Sequence, residues 1–148
     1  GIFTETADQE YQHAKRFFSF LEGGMLEITA AYPAGKVGTT MENLIEAANG
    51  EREEWEELYP EFANIAEEEG FKDIARVFRI IAKAEITHED RYRKLIENLE
   101  ENSVFEKPEK VKWYCRKCGY IHEGTTPPKL CPACLHSQAY YELHNENY

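Results

Sequence analysis

The chain has 148 residues, 42% of them hydrophobic, and a formal net charge of -11. That length suits one helical bundle plus a small module, and the acidic balance argues against nucleic acid, whose phosphates reward Lys and Arg. No apolar run approaches the roughly 18 residues of a membrane span. The N-terminus has no basic stretch leading into an apolar one, so no signal peptide is expected and the compartment expected is the cytoplasm.

The first predicted helix runs from Ile2 to about Leu21, with an inward stripe of Phe3, Thr6, Glu10, His13, Phe17 and Phe20. Gly23-Gly24 ends it. The next stretch, about 23–40, carries Pro33, Gly35 and Gly38. It is long for a loop between antiparallel neighbours, which takes about two to eight residues, so a crossover between helices pointing the same way is expected. The second helix, about Met41 to Glu69, has the stripe Leu44, Ala48, Glu51, Trp55, Leu58, Phe62 and Ile65. Glu51 interrupts this apolar seam, and Glu54 follows one turn on. Pro60 removes a backbone donor and crowds the carbonyl of Glu56, which predicts a kink. Gly70 ends the helix as a C′ glycine. The third helix, Phe71 to Asn102, repeats inward residues in steps of four and three: Ile74, Phe78, Ile81, Glu85, His88, Tyr92, Leu95 and Leu99.

The first and third helices are copies of one pattern at an ungapped offset of 75: Ile2-Phe3 with Val77-Phe78, Glu10-x-x-His13 with Glu85-x-x-His88, Arg16-Phe17 with Arg91-Tyr92. The second copy is preceded by a helix bearing Glu51. The repeat therefore predicts a fourth helix with a further inward Glu, missing from this chain or supplied by a separate polypeptide. Residues i and i+3 share a helical face, so each Glu-x-x-His offers a carboxylate and an imidazole to one small region. With Glu51 this matches the donor pattern of di-iron carboxylate bundles. One Glu-x-x-His is common by chance in a chain with 28 acidic residues, and a lone inward His usually satisfies core hydrogen bonds. Two copies in apolar seams are different, because clustered buried carboxylates are untenable without cations.

All four cysteines lie near the C-terminus, as Cys115-x-x-Cys118 and Cys131-x-x-Cys134. A disulfide pair is one reading; thiolates on a metal in a reducing compartment is the reading favoured here. A segment of about 40 residues rarely folds without such a staple. Gly119 and Pro132 suit tight turns around the sulfurs, and Trp113, Tyr114, Tyr120, Tyr140 and Tyr141 are candidates for a small aromatic core. Spacing alone favours structural zinc. The attached bundle shifts the expectation to iron, which passes an electron as zinc does not, with zinc as a substitute.

With Glu10-x-x-His13 in ADQEYQHAKRFF, Glu51-x-x-Glu54 in ANGEREEWEELYP, Glu85-x-x-His88 in AKAEITHEDRY, and YCRKCGYIHEG…LCPAC, the chain resembles the rubrerythrin family over its whole length, without that family's first helix. The resemblance implies a mainly α fold. Residues 1–105 would form a ferritin-like four-helix bundle with three helices in this chain, and residues 106–148 a small rubredoxin-like β domain. It implies Glu10, Glu51, Glu54, Glu85 and His88 as di-iron ligands. His13 would be a ligand that exchanges with Glu54 as the oxidation state changes, and Tyr59 a hydrogen-bonding neighbour of the cluster. Cys115, Cys118, Cys131 and Cys134 would hold a third iron. Leu135 stands where free rubredoxins usually have Gly. The activity implied is a homodimeric non-haem peroxidase that reduces hydrogen peroxide to water. Its electrons would come from NAD(P)H through a separate rubredoxin- or flavoprotein-type reductase, and pass through the four-cysteine iron. An oxygen-consuming ferroxidase with the same metal sites is the alternative, and a zinc-stabilised interaction module without chemistry a more distant one.

Overall fold

The computed structural model describes residues 1–147. Helix α1 spans Ile2–Phe18 and starts from Gly1 without a side-chain cap. Gly23 and Gly24 follow with φ of +93° and +88°. From residue 25 to residue 39 the chain forms neither helix nor strand and every residue is exposed. Thr39 then opens α2, Thr40–Glu53, with a reciprocal cap. Its hydroxyl accepts from the Glu42 amide, and the Glu42 carboxylate accepts from the Thr39 amide at 2.7 Å. Two orphan donors of the first turn are thereby satisfied.

The helix expected over residues 41–69 continues, but not as one regular α-helix. At Glu54–Leu58 it widens into a π turn, closed by the Tyr59 amide on the Glu54 carbonyl, and then resumes as α3, Tyr59–Glu68, with Pro60 in its first turn. A proline tolerates a first-turn position because its missing N–H is unneeded there. The disturbance expected at Pro60 is thus taken up on its N-terminal side. A π turn holds one extra residue, so every inward position after it moves one residue along. The stripe predicted at Phe62 and Ile65 is exposed, and Ala63 and Ala66 are buried instead. Gly70 closes α3 in the left-handed region at φ +90°. Its amide bonds Glu67 and the Phe71 amide bonds Ala66, the paired contacts of a Schellman motif.

Helix α4, Lys72–Glu100, buries Ile81, Glu85, His88 and Tyr92 of its predicted stripe. It ends on a second motif of the same kind, with Asn102 at φ +56° in the glycine position. Side-chain contacts set the helix directions. Phe3 stacks on Tyr92 and Phe17 on Phe78, so α1 and α4 run antiparallel. Asn49 meets Arg93, Trp55 meets Glu89 and Glu67 meets Arg79, so α2–α3 also runs antiparallel to α4. Helices α1 and α2 therefore point the same way, which is why the connection between them is long. No helix among the described residues is long and apolar enough to cross a membrane.

The chain divides into a unit of residues 1–96 and a unit from Glu97 onward. The second unit holds a three-stranded antiparallel sheet, order β2-β1-β3, from β1 Val111–Cys115, β2 Ile121–Gly124 and β3 Tyr141–Leu143. Trp113 lies opposite His122 on one side and Leu143 on the other, and Cys115 opposite Tyr141. Its core is Trp113, Cys115, Cys131 and Tyr141, with Phe105, Val111 and Cys134 packed against them. Of the expected aromatic core, Trp113 and Tyr141 are buried. Tyr120 is exposed, and Tyr114 and Tyr140 are half-buried.

Candidate metal centres

In the bundle, Glu10, Glu51, Glu85 and His88 offer ligand atoms that all lie within 4.8 Å of one another. Glu85 is fully buried, and Glu51 and His88 nearly so. His88 Nδ1 lies 2.8 Å from Glu85 Oε2, 2.9 Å from Glu10 Oε1 and 3.4 Å from Glu51 Oε2. These atoms are close but not aligned as hydrogen bonds. His88 Nδ1, both Glu85 oxygens, Glu10 Oε1 and Glu51 Oε2 are buried without a hydrogen-bond partner. Lone pairs that are near one another yet unpaired fit a cation among them.

The electrostatics agree. Burial, then the negative charges of Glu10 and Glu54, push Glu51 up to about 8. Burial and the charges of Glu10, Glu54 and Glu51 push Glu85 up to about 9. Burial lowers His88, favouring the neutral imidazole that ligates a metal. Without cations this pocket would have to hold protons in their place.

The internal repeat reappears as a local two-fold. The Phe3–Tyr92 contact maps onto Phe78–Phe17. Glu10 to His88 at 2.9 Å maps onto Glu85 to His13, also at 2.9 Å. His13 and His88 face each other across the axis, ring centroids 5.9 Å apart. Each imidazole thus reaches both Glu-x-x-His carboxylates, and an axis through such a set generates two metal positions.

His13 and Glu54 lie beside the four-residue cluster rather than in it. His13 Nδ1 sits 3.2 Å from Glu10 Oε2. Glu54, at the start of the π turn, is raised by burial and by Glu10, while the Tyr59 hydroxyl and His13 draw it the other way. Burial and the Glu54 charge in turn raise Tyr59, so its hydroxyl stays protonated and donates. Sequence reasoning missed Glu89. Its carboxylate accepts from Trp55 Nε1 at 2.7 Å and from Arg93 Nε at 3.0 Å, tying the π turn to α4. Its place directly after His88, about 100° around the helix from the buried stripe, gave no signal that would have found it.

The four cysteines converge on a second site, Cys115 Sγ to Cys134 Sγ at 3.8 Å and Cys118 Sγ to Cys131 Sγ at 3.6 Å. A disulfide would need about 2.05 Å. A tetrahedron with metal–sulfur bonds of about 2.3 Å has edges of roughly 3.8 Å, so this donor set fits one ion. The two knuckles are equivalent at an offset of 16. The Cys115 amide bonds Tyr120 and the Cys131 amide His136, while the Gly119 amide bonds Cys115 and the Leu135 amide Cys131. Gly119 has φ +78° and Leu135 φ +60°, so leucine occupies a left-handed position that glycine fills in the first knuckle. Burial works to raise the Cys131 thiol, but the nearby Tyr141 side chain and the amides of Ala133 and Cys134 outweigh it and hold the group at about 6. A ready thiolate favours metal capture.

Residues 1–96 match the family model described as Rubrerythrin, and residues 113–142 the model for the rubrerythrin rubredoxin-like domain. The chain is 62% identical to rubrerythrin of Porphyromonas gingivalis over 148 residues, all of this chain and 74% of that protein. It is 57% identical to rubrerythrin of Nitratidesulfovibrio vulgaris over 142 residues, 96% of this chain and 74% of that protein. A solved structure titled "Partially Reduced State of Nigerythrin" is similar, with a TM-score of 0.59, 27% identity, and coverage of 97% of this chain and 68% of that one. With the ferritin-like helices, the carboxylate–imidazole pocket and the four-thiolate knuckles in one chain, the protein belongs to the rubrerythrin family of iron-binding oxidoreductases.

Proposed function

We propose that this chain is a peroxidase that reduces hydrogen peroxide to two waters, consuming two electrons and two protons. The electrons come from a reduced external carrier, ultimately NAD(P)H, by way of the four-cysteine iron. The observation that carries the reading is the pairing of a two-fold carboxylate–imidazole pocket with a one-electron thiolate site in the same chain. A ferroxidase needs the first and has no use for the second.

In this reading Glu10, Glu51, Glu85 and His88 hold iron, with His13 and Glu54 as the exchanging pair at the second position. The bound irons supply Lewis acidity and the two electrons. The protein does the rest. Glu10 and Glu85 neutralise cations from both sides of the axis. The Tyr59 hydroxyl orients Glu54 and stabilises its charge, which keeps the carboxylate available as a ligand or proton carrier. Glu89 holds the π turn through Trp55, and so fixes where Glu54 enters the pocket. The working form is a homodimer in the cytoplasm.

Anaerobic turnover tests the proposal. Iron-loaded protein with a rubredoxin-type carrier and its reductase should oxidise one NAD(P)H per hydrogen peroxide. Reductant consumed only when oxygen and free ferrous iron are supplied would establish the ferroxidase alternative instead.

A further inference from the structure

The core around the four-cysteine site contains two buried aromatic side chains with a polar atom, and they are treated differently. Trp113 Nε1 donates to the Gly124 carbonyl at 3.0 Å. The Tyr141 side chain is only 4% exposed, and its buried hydroxyl makes no hydrogen bond in the metal-free site. A phenylalanine would fill the same space without stranding a hydroxyl. Strand pairing puts Tyr141 opposite Cys115, and the ring packs in one buried cluster with Cys115 and Cys131, so the polar groups packed with the stranded hydroxyl are ligand sulfurs, Cys131 among them. A neutral thiol is a weak acceptor. A metal-bound thiolate carries charge and is a better one.

We propose that Tyr141 is a potential-setting residue: its hydroxyl donates to the Cys131 thiolate of the iron-loaded site and raises the reduction potential of that iron. When one electron enters this site, no bond forms or breaks and no proton is required. The added negative charge is shared with the four sulfurs, so a donor aimed at one of them stabilises the reduced state more than the oxidised one. The Tyr141 hydroxyl therefore makes the site a better acceptor from the external carrier. The inference rests on iron in the four-cysteine site and not on peroxide as the substrate, so it stands or falls separately from the turnover assay.

The test is an equilibrium redox titration of the full iron-loaded chain, followed by the visible sulfur-to-iron absorption. In Tyr141→Phe the midpoint should fall. At the unsubstituted protein's midpoint potential, the ratio of reduced to oxidised iron should drop at least threefold, about 28 mV for a one-electron couple. The absorption should shift to longer wavelength, because an unbonded thiolate gives up charge more readily. Trp113→Phe is the packing control. It breaks a buried hydrogen bond in the same core whose acceptor is the Gly124 carbonyl and not a sulfur, and should leave midpoint and band in place. A 3-fluorotyrosine at position 141, a stronger donor of the same shape, should move the midpoint upward, and it serves as the deciding measurement if Tyr141→Phe loses its iron. An unchanged midpoint in Tyr141→Phe, an equal shift in Trp113→Phe, or a fluorotyrosine protein that titrates like the unsubstituted one would overturn the proposal.

Discussion

His13 touches both symmetric carboxylates, yet it stands outside the tight cluster that includes its counterpart His88. Its neighbour on that side is Glu54, which the Tyr59 hydroxyl stabilises. If these two exchange as ligands, neither is needed to retain both irons at once. His13→Gln and Glu54→Gln are therefore expected to slow peroxide turnover by about 10- to 100-fold while iron content stays near that of the unsubstituted protein, measured by initial rates and metal analysis on the same samples. Wild-type rates in both variants would show that the exchange is dispensable. Residues such as Glu85 and His88 are legible from sequence because a polar group in an apolar seam contradicts the cost of burying it. Glu89 is not legible in that way. Its partner is an indole N–H from another helix, and nothing in the local pattern encodes that meeting. Leu135 illustrates a third case: its identity hides a left-handed backbone that becomes visible only when the two knuckles are superimposed.

Among the elements, the π turn is the one that hydrophobic periodicity misreads. The stripe is buried through Glu51, half-buried at Trp55 and Leu58, and then one residue early, because a single extra residue at Glu54–Leu58 rotates everything after it. Pro60 signalled that something would happen, but a proline leaves open whether the helix bends, breaks or widens. The shifted register makes a clear prediction. Ala63 is fully buried and Phe62 is 40% exposed, with Phe62 resting on Phe78 at 5.6 Å. Ala63→Leu should overpack the seam and cost about 1–3 kcal/mol, and Phe62→Ala should cost less, as read by thermal unfolding of the metal-loaded protein. The reverse order would mean that the original stripe, and not the shifted one, faces the core. Of the helix ends, Gly70 announced its left-handed cap in the sequence, while the Thr39–Glu42 capping box emerged only in the structure.

At the scale of the whole protein, the metals decide how stability depends on pH. Glu51 and Glu85 sit at about 8 and about 9 in the folded, metal-free chain, against about 4.5 when unfolded. Between those values the folded state binds more protons, so raising the pH costs stability. Metal-free protein should lose unfolding free energy steadily from about pH 5 to about pH 9, and iron loading should flatten the profile while releasing protons. Denaturant midpoints across that range check this, and a metal-free protein that is most stable near pH 9 would show that the carboxylates are not buried as described. The exposed passage from residue 25 to residue 39 has one basic residue, Lys36. Trypsin should therefore nick it first, leaving two peptides clasped through Phe3–Tyr92, Phe17–Phe78 and the Glu5–Arg91 ion pair. Such a protein could be rebuilt from halves, with Glu10 and His13 isotopically labelled on one fragment and Glu85 and His88 left silent on the other, so that each side of the two-fold is observed alone.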